Sequence, residues 1–313
     1  DPYPAIALAE EALAAALATS DPGAELRARL MLGHALAWNG EGRAGLSQKR
    51  EALRLADDLD DPTLVLAVYG SFFDALALDG EARRCEPRRL IDEMTGRFGH
   101  TEWWNEHAPW PWMAYVYMQC GELDEAQTAL DHARAGHIEG YIEMWAHHVT
   151  GALRWMQGRL SEARDAAAAL RALRPAPRWY HDFYPLAGEI AAAMGDLEGA
   201  RSAAEEYLAV RVHASEAAMK AAVLVPVVRA EVDAALAGGR SRDRHVARAR
   251  AARNRAHEIV SRFPPPGSGC LQFETPRTHL LLADAELSRA TGPDPAAWRS
   301  VADAADYAHT RLY

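Results

Sequence analysis

Cysteine is scarce in this chain. Cys85, Cys120 and Cys270 are far apart and odd in number, which argues against a disulfide framework and for reduced thiols in a cytoplasmic setting. No run of about 18 apolar residues occurs, so no membrane-spanning helix is expected. Alternation of Val, Ile and Thr is almost absent, which argues against a sheet. The chain opens on Asp1-Pro2-Tyr3-Pro4, with neither an initiator methionine nor a signal peptide. Basic charge is in deficit: the net charge is −10, a poor basis for non-specific nucleic-acid binding. There is no Gly-Lys-Ser/Thr phosphate loop and no usable Gly-x-Gly-x-x-Gly. No serine, cysteine or lysine has a recognisable activating partner nearby. A catalytic constellation is therefore not expected, and neither is a cofactor.

What the chain does have is repetition. Gly121-Glu122-Leu123-Asp124-Glu125-Ala126, Gly158-Arg159-Leu160-Ser161-Glu162-Ala163 and Gly195-Asp196-Leu197-Glu198-Gly199-Ala200 recur with their glycines 37 positions apart. A period in that range marks stacked helical hairpins. The glycine ends the first helix of each hairpin in a conformation other residues find costly. The leucine two positions on (Leu123, Leu160, Leu197) is expected to staple the turn to the core. The alanine five positions on (Ala126, Ala163, Ala200) lets the two helices approach closely. Gly40 and Gly80 continue the frame toward the amino end, and Gly238 and Gly292 continue it at looser spacing. Small residues (Ala114, Gly151, Gly188, and Gly33 before Gly40) lie seven positions ahead of the turns.

Alanine, leucine, arginine and glutamate dominate, and all favour helix. Asp21-Pro22, Asp61-Pro62 and Asp294-Pro295 each set an N-cap acceptor before a proline at the first helical position. Arg174-Pro175-Ala176-Pro177 breaks the chain between hairpins. The chain length, 313 residues, exceeds most single globular cores, but a solenoid escapes that limit because each unit packs only on its neighbours. The expectation is an all-α chain of about 15 helices forming a right-handed α-solenoid of helical hairpins over residues 1–313. A minor break falls at 263–269, where Phe263-Pro264-Pro265-Pro266-Gly267-Ser268-Gly269 forbids helix. The stretch Ala5 to Thr19 reads as the second helix of a hairpin, and Trp298 to Tyr313 as a helix without a polar cap. Both suggest a piece of a larger protein.

A large residue (Arg29, Tyr69, Trp110, His147, Tyr184), then a small pair such as Leu32-Gly33, then a second position (Leu36, Leu76, Tyr117, Arg154, Ala191), a glycine turn and an alanine together resemble the tetratricopeptide repeat. The units are longer than the usual 34 residues. They are more similar to the lengthened repeats in the regulatory region of large ATP-dependent LuxR-type transcriptional regulators, the class of the maltose regulator, over most of residues 24–240. That resemblance implies a sensor that binds effectors and partner proteins, with the ATPase and DNA-binding modules outside this segment. Two alternatives stay open: a free-standing adaptor holding a peptide, and the regulatory part of a signalling enzyme such as a nucleotide cyclase.

Seven of the nine tryptophans lie between 103 and 179. Large flat rings are used where a ligand is gripped, but rings at helical spacing also fill cores. By the repeat frame, Tyr115, Gln119, Trp145, His148, Trp155, Met156, Asp182 and Glu189 occupy the inner, groove-facing positions. They are the candidate binding residues for a small-molecule effector or peptide. Trp110, Trp112 and Tyr184 are expected to fill the core. Glu143, His147 and His148 share a helix, but no zincin pattern or cysteine pair supports a metal. Asp57-Asp58-Leu59-Asp60-Asp61 has the spacing of a magnesium motif yet sits at a helix end, where carboxylates cap the next helix. Arginines crowd 240–262 (Arg240, Arg242, Arg244, Arg248, Arg250, Arg253, Arg255, Arg262) without interleaved aromatics. A solvated face or interdomain contact, with no direct nucleic-acid contact, is expected there, and nucleic-acid or phosphate contact is the alternative reading.

Overall fold

A computed structural model describes residues 4–38, 41–59, 64–65, 67–71, 86–101, 104, 109–136, 139–173, 180–211, 214–262 and 271–308. Every regular element among them is helical. They are α1 (Pro4–Thr19), α2 (Pro22–Trp38), α3 (Gly42–Leu59), α4 (Glu86–Phe98), α5 (Trp110–Gln119), α6 (Leu123–Ala135), α7 (Tyr141–Met156), α8 (Leu160–Ala172), α9 (Tyr180–Ala193) and α10 (Leu197–Ala209). A 3-10 segment (Ala214–Ala221) follows, and then α11 (Leu224–Leu236), α12 (Arg242–Arg262), α13 (Leu271–Thr291) and α14 (Pro295–Ala308). The helices gather into two compact units: Asp1–His137 with Gly267–Gln272, and Ile138–Pro266 with Phe273–Tyr313.

The three repeated glycines stand at equivalent bends. Gly121, Gly158 and Gly195 have φ of 81°, 72° and 73°, a left-handed conformation that only glycine adopts without strain. In each bend the glycine N–H donates to the carbonyl three residues back, and the next N–H donates five residues back. The pairs are Gly121 to Met118 and Glu122 to Tyr117, Gly158 to Trp155 and Arg159 to Arg154, and Gly195 to Ala192 and Asp196 to Ala191. These two bonds satisfy the last free carbonyls of the first helix. Gly238 (φ 84°) keeps the first of them, to Ala235, whereas Gly292 (φ 147°) bonds instead to Ser288. Gly40 and Gly80 lie outside the described residues. The proline signals hold where they are described: Asp21 Oδ1 accepts from the Ala24 N–H at 2.9 Å, and Asp294 Oδ1 from the Ala296 N–H at 2.8 Å. Asp61-Pro62, Arg174–Pro177 and the 263–269 segment fall outside the described residues.

Alanine makes the seams. Ala126, Ala163 and Ala200 are each fully buried. They begin equivalent stripes down the second helices: Ala126, Ala129 and Ala133 on α6, Ala163, Ala166 and Leu170 on α8, and Ala200, Ala203 and Tyr207 on α10. The facing helix presents a small residue. A methyl added at Gly151 would lie 3.7 Å from the Ala163 carbonyl and 3.8 Å from Ala166 Cβ. Leu123, Leu160 and Leu197 are half-buried, and Leu197 packs on Ala192, Ala200 and Ala230. In the first unit α2 and α3 approach more closely still. A Cβ on Gly45 would stand 2.5 Å from the Gly33 carbonyl, and one on Gly33 2.8 Å from the Gly45 carbonyl.

In the second unit α7 pairs with α8, α9 with α10, and α11 with α12. The first helices of these pairs also touch in sequence, α7 on α9 and α9 on α11. The core of α11 and α12, with Val225, Val228, Val232, Ala249, Ala252 and Ala256, continues into Leu282, Ala283 and Ala285 of α13.

Candidate functional site

Six of the eight sequence-predicted site residues lie in the second unit. On α7, Trp145 and His148 are one turn apart, and their rings stack with centroids 5.1 Å apart at 26°. Trp145 is 8% exposed, so burial covers most of a ring the repeat frame assigned to an open face. Trp155 and Met156 end the same helix half-buried. Tyr115 is half-buried on α5, in the first unit. Gln119 and Asp182 lie on α5 and α9, and their side chains are outside the described set. Of the rings expected in the core, Trp112 is buried, while Trp110 and Tyr184 are half-buried. Trp110 stacks on His132 at 4.4 Å, and Tyr184 stacks on Tyr207 at 5.6 Å.

Glu189 has the most unusual environment. It is 3% exposed on α9, flanked by Gly188, where an added Cβ would meet Pro226 Cγ of α11 at 2.8 Å. Glycine at that point brings α9 and α11 together and leaves Glu189 facing Arg229. The Arg229 guanidinium donates from Nη1 to Glu189 Oε2 and from Nε to Glu286 Oε1 on α13, the latter at 2.7 Å. Glu286 Oε2 accepts from Arg289 Nη1 at 2.7 Å, and Arg289 reaches Asp233 at 2.6 Å. Glu189 Oε1 is buried with no hydrogen-bond partner. Loss of solvation pushes the Glu189 carboxyl up to about 7 against the pull of Arg229, with the Glu286 charge adding to the rise. One guanidinium thus serves two buried carboxylates, and a proton on Glu189 brings the group closer to charge balance.

A third buried carboxylate lies two positions beyond Arg229. Glu231, 1% exposed on α11, accepts from Arg201 Nε of α10 at 3.0 Å and faces His245 Nδ1 of α12 at 2.7 Å. On α12, Arg253 and His257 both meet Asp284 of α13. These networks tie the helices of the second unit together through polar groups that would be costly to bury alone. Each histidine–carboxylate pair joins two helices, His245 of α12 to Glu231 of α11 and His257 of α12 to Asp284 of α13.

Arg201, Arg229, Glu231 and Glu286 were not singled out by repeat-based reasoning. The available signal was local: Arg229 and Glu231 interrupt the apolar run Leu224-Val225-Pro226-Val227-Val228-Arg229-Ala230-Glu231-Val232. Charges inside such a run are kept only when they are paired. The aspartate run is divided: Asp57 pairs with Arg97, Asp58 lies 3.5 Å from Arg54, and Asp60 and Asp61 are outside the described residues. Among the described residues no group of three His, Cys, Asp or Glu side chains is arranged to hold a metal. No described helix is long and apolar enough to cross a membrane. No protein-family model matches the chain, and no curated protein shows significant similarity to it.

Proposed function

We propose that this chain is a non-catalytic, tetratricopeptide-like repeat module, wound as a right-handed α-solenoid, that binds an effector or a partner protein. The observation that carries the reading is the set of equivalent bends at Gly121, Gly158 and Gly195, with identical hydrogen bonds and a fully buried alanine five residues on. Periodic hairpins of this kind present their side chains along an extended surface, which suits binding rather than a single reaction centre. By resemblance, the module is the sensing segment of a LuxR-type regulator whose ATPase and DNA-binding modules are encoded on either side.

The effector surface in this reading is the part of α7 bearing Trp145, His148, Trp155 and Met156, with Asp182 and Glu189 of α9 beside it in the repeat frame. Ligand binding there favours one packing of α7, α9 and α11 over another, and so shifts a population. A thermal-shift screen of sugars and small metabolites, followed by tryptophan fluorescence titration, tests the reading. A hit is expected to lose binding in Trp155→Ala and Met156→Ala. Hits that survive both changes, and also Trp145→Ala, refute the surface. A coding sequence lacking a nucleotide-binding motif upstream and a helix-turn-helix downstream refutes the regulator and favours the adaptor.

A further inference from the structure

The arginines of α12 divide into two sets. Arg242 donates to the Ala290 carbonyl at 2.9 Å, Arg253 pairs with Asp284, and Arg262 pairs with Glu258. Arg244, Arg248, Arg250 and Arg255 are exposed and make no ion pair or hydrogen bond among the described residues, and all but Arg250 share one face. At about 100° per residue these three fall within about 40° of one another around the helix, over a length of about 16 Å. Ala247 and Ala251, both exposed, lie along the edge of the same face. The buried stripe of the helix, Ala249, Ala252 and Ala256, faces the core, and the exposed ridge flanks it about 90° around the helix.

On the same helix the acidic neighbours of the ridge are Asp243, next to Arg244, and Glu258, one turn from Arg255 and paired with Arg262. Lys220, on the 3-10 segment that packs against this helix, is held below its ordinary range first by burial and then by the charge of Arg255. The second unit as a whole has 21 acidic and 22 basic residues, whereas residues 1–137 have 23 acidic and 12 basic. The ridge therefore belongs to a unit of nearly balanced charge, in which three unpaired guanidinium groups on one face stand out. Guanidinium forks match carboxylates in geometry and shed water more readily than ammonium groups. Small residues beside them let a second helix approach. A single-stranded nucleic acid would call for stacking aromatics, and α12 has none.

We infer that the Arg244–Arg248–Arg255 face of α12 docks an acidic α-helical segment of a partner protein. The docking needs only α12 and does not depend on the α7 surface proposed above. Carboxylates four and eleven positions apart on the partner helix meet the three guanidinium groups, and the partner's small residues seat over Ala247 and Ala251.

The test is fluorescence anisotropy on the full chain. The probe is a labelled alanine-based helical peptide of about 20 residues, roughly 30 Å long, with glutamates at that spacing. Controls are a scrambled peptide of the same composition and a duplex oligonucleotide of similar length. The patterned peptide is expected to bind, to weaken between about 0.05 and about 0.3 M salt, and to exceed the scrambled one. The triple change Arg244→Glu, Arg248→Glu, Arg255→Glu is expected to weaken binding by on the order of tenfold or more, while Arg250→Glu on another face leaves it within about twofold. If the triple change disturbs helicity, Arg248→Gln alone is read the same way, with a loss of about threefold expected. No binding of the patterned peptide, equal binding of the scrambled peptide, unchanged binding by the ridge variants, or tighter binding of the oligonucleotide each overturns the inference.

Discussion

The two units both bring helices together at glycine, but they differ in the charge they bury: a lysine in the first, chiefly three carboxylates in the second. In the first, α2 and α3 meet through backbone at Gly33 and Gly45, and the fully buried Lys49 of α3 lies against Gly33 and donates to the Ser71 carbonyl. No described ion pair there has a carboxylate less than 17% exposed; Glu25 with Arg29 is the most sheltered. In the second, Glu189, Glu231 and Glu286 are all buried and each is held by an arginine from another helix. Close backbone contact is non-directional and tolerant of small slides. A buried carboxylate with a guanidinium fork has one good arrangement, and a displaced helix leaves a charge without a partner. The helices of the second unit are thus fixed in place by charge pairing as well as by packing.

The contrast is broken most forcefully at Arg229. Arg229→Met leaves two buried carboxylates facing each other, and a loss of about 3–5 kcal/mol is expected, read from denaturant midpoints at constant slope. A loss below about 1 kcal/mol would mean the network adds little to the second unit.

The second prediction concerns pH. Glu189 has its folded carboxyl near 7 against an ordinary 4.5, so between those values the folded state binds more protons than the unfolded one. Its contribution is therefore complete below about pH 4.5, falls as pH rises through about 7, and levels off above, a change of roughly 3 kcal/mol. Glu189→Gln, neutral at every pH, is expected to remove that slope and to be more stable than the parent chain at pH 8. A wild-type profile flat from pH 5 to 8 would show that Glu189 is ionised throughout.

The third prediction compares two glycines. Gly45→Ala drives a methyl against the Gly33 carbonyl and is expected to cost about 1–3 kcal/mol. Gly151→Ala meets Leu186 Cδ2 at 3.4 Å, a tight but side-chain contact, and the equivalent position in the preceding hairpin is already Ala114. It is expected to be neutral or to gain up to about 1 kcal/mol from helix propensity. Thermal melts of the two variants in parallel give the difference, and equal losses would show that both seams are equally tight.

Much of the architecture was legible in the chain. The glycine–leucine–alanine frame located three bends and the small-residue seams before any coordinates, because a left-handed turn and a close helix crossing each admit few residue types. Proline after aspartate located the starts of α2 and α14 for the same reason. The surroundings of the inner-face residues were less legible. The frame gave Trp145 and Glu189 as groove-facing positions, yet the Trp145–His148 stack and the Arg229 fork enclose them. Periodicity reports which side of a helix a residue occupies, not how far the neighbouring helices reach over it.

The sequence by itself determined that this is a helical chain folded into hairpins at regular intervals, since turn conformation and helix propensity act over a few residues. Only the tertiary structure decided that Glu189 and Glu286 share one guanidinium, that Glu231 is clasped between Arg201 and His245, and that Arg244, Arg248 and Arg255 are left over. Those pairings join residues 14 to 57 positions apart, and which charge finds a partner at that separation depends on how whole helices stack, where small differences in packing outweigh anything a local pattern encodes.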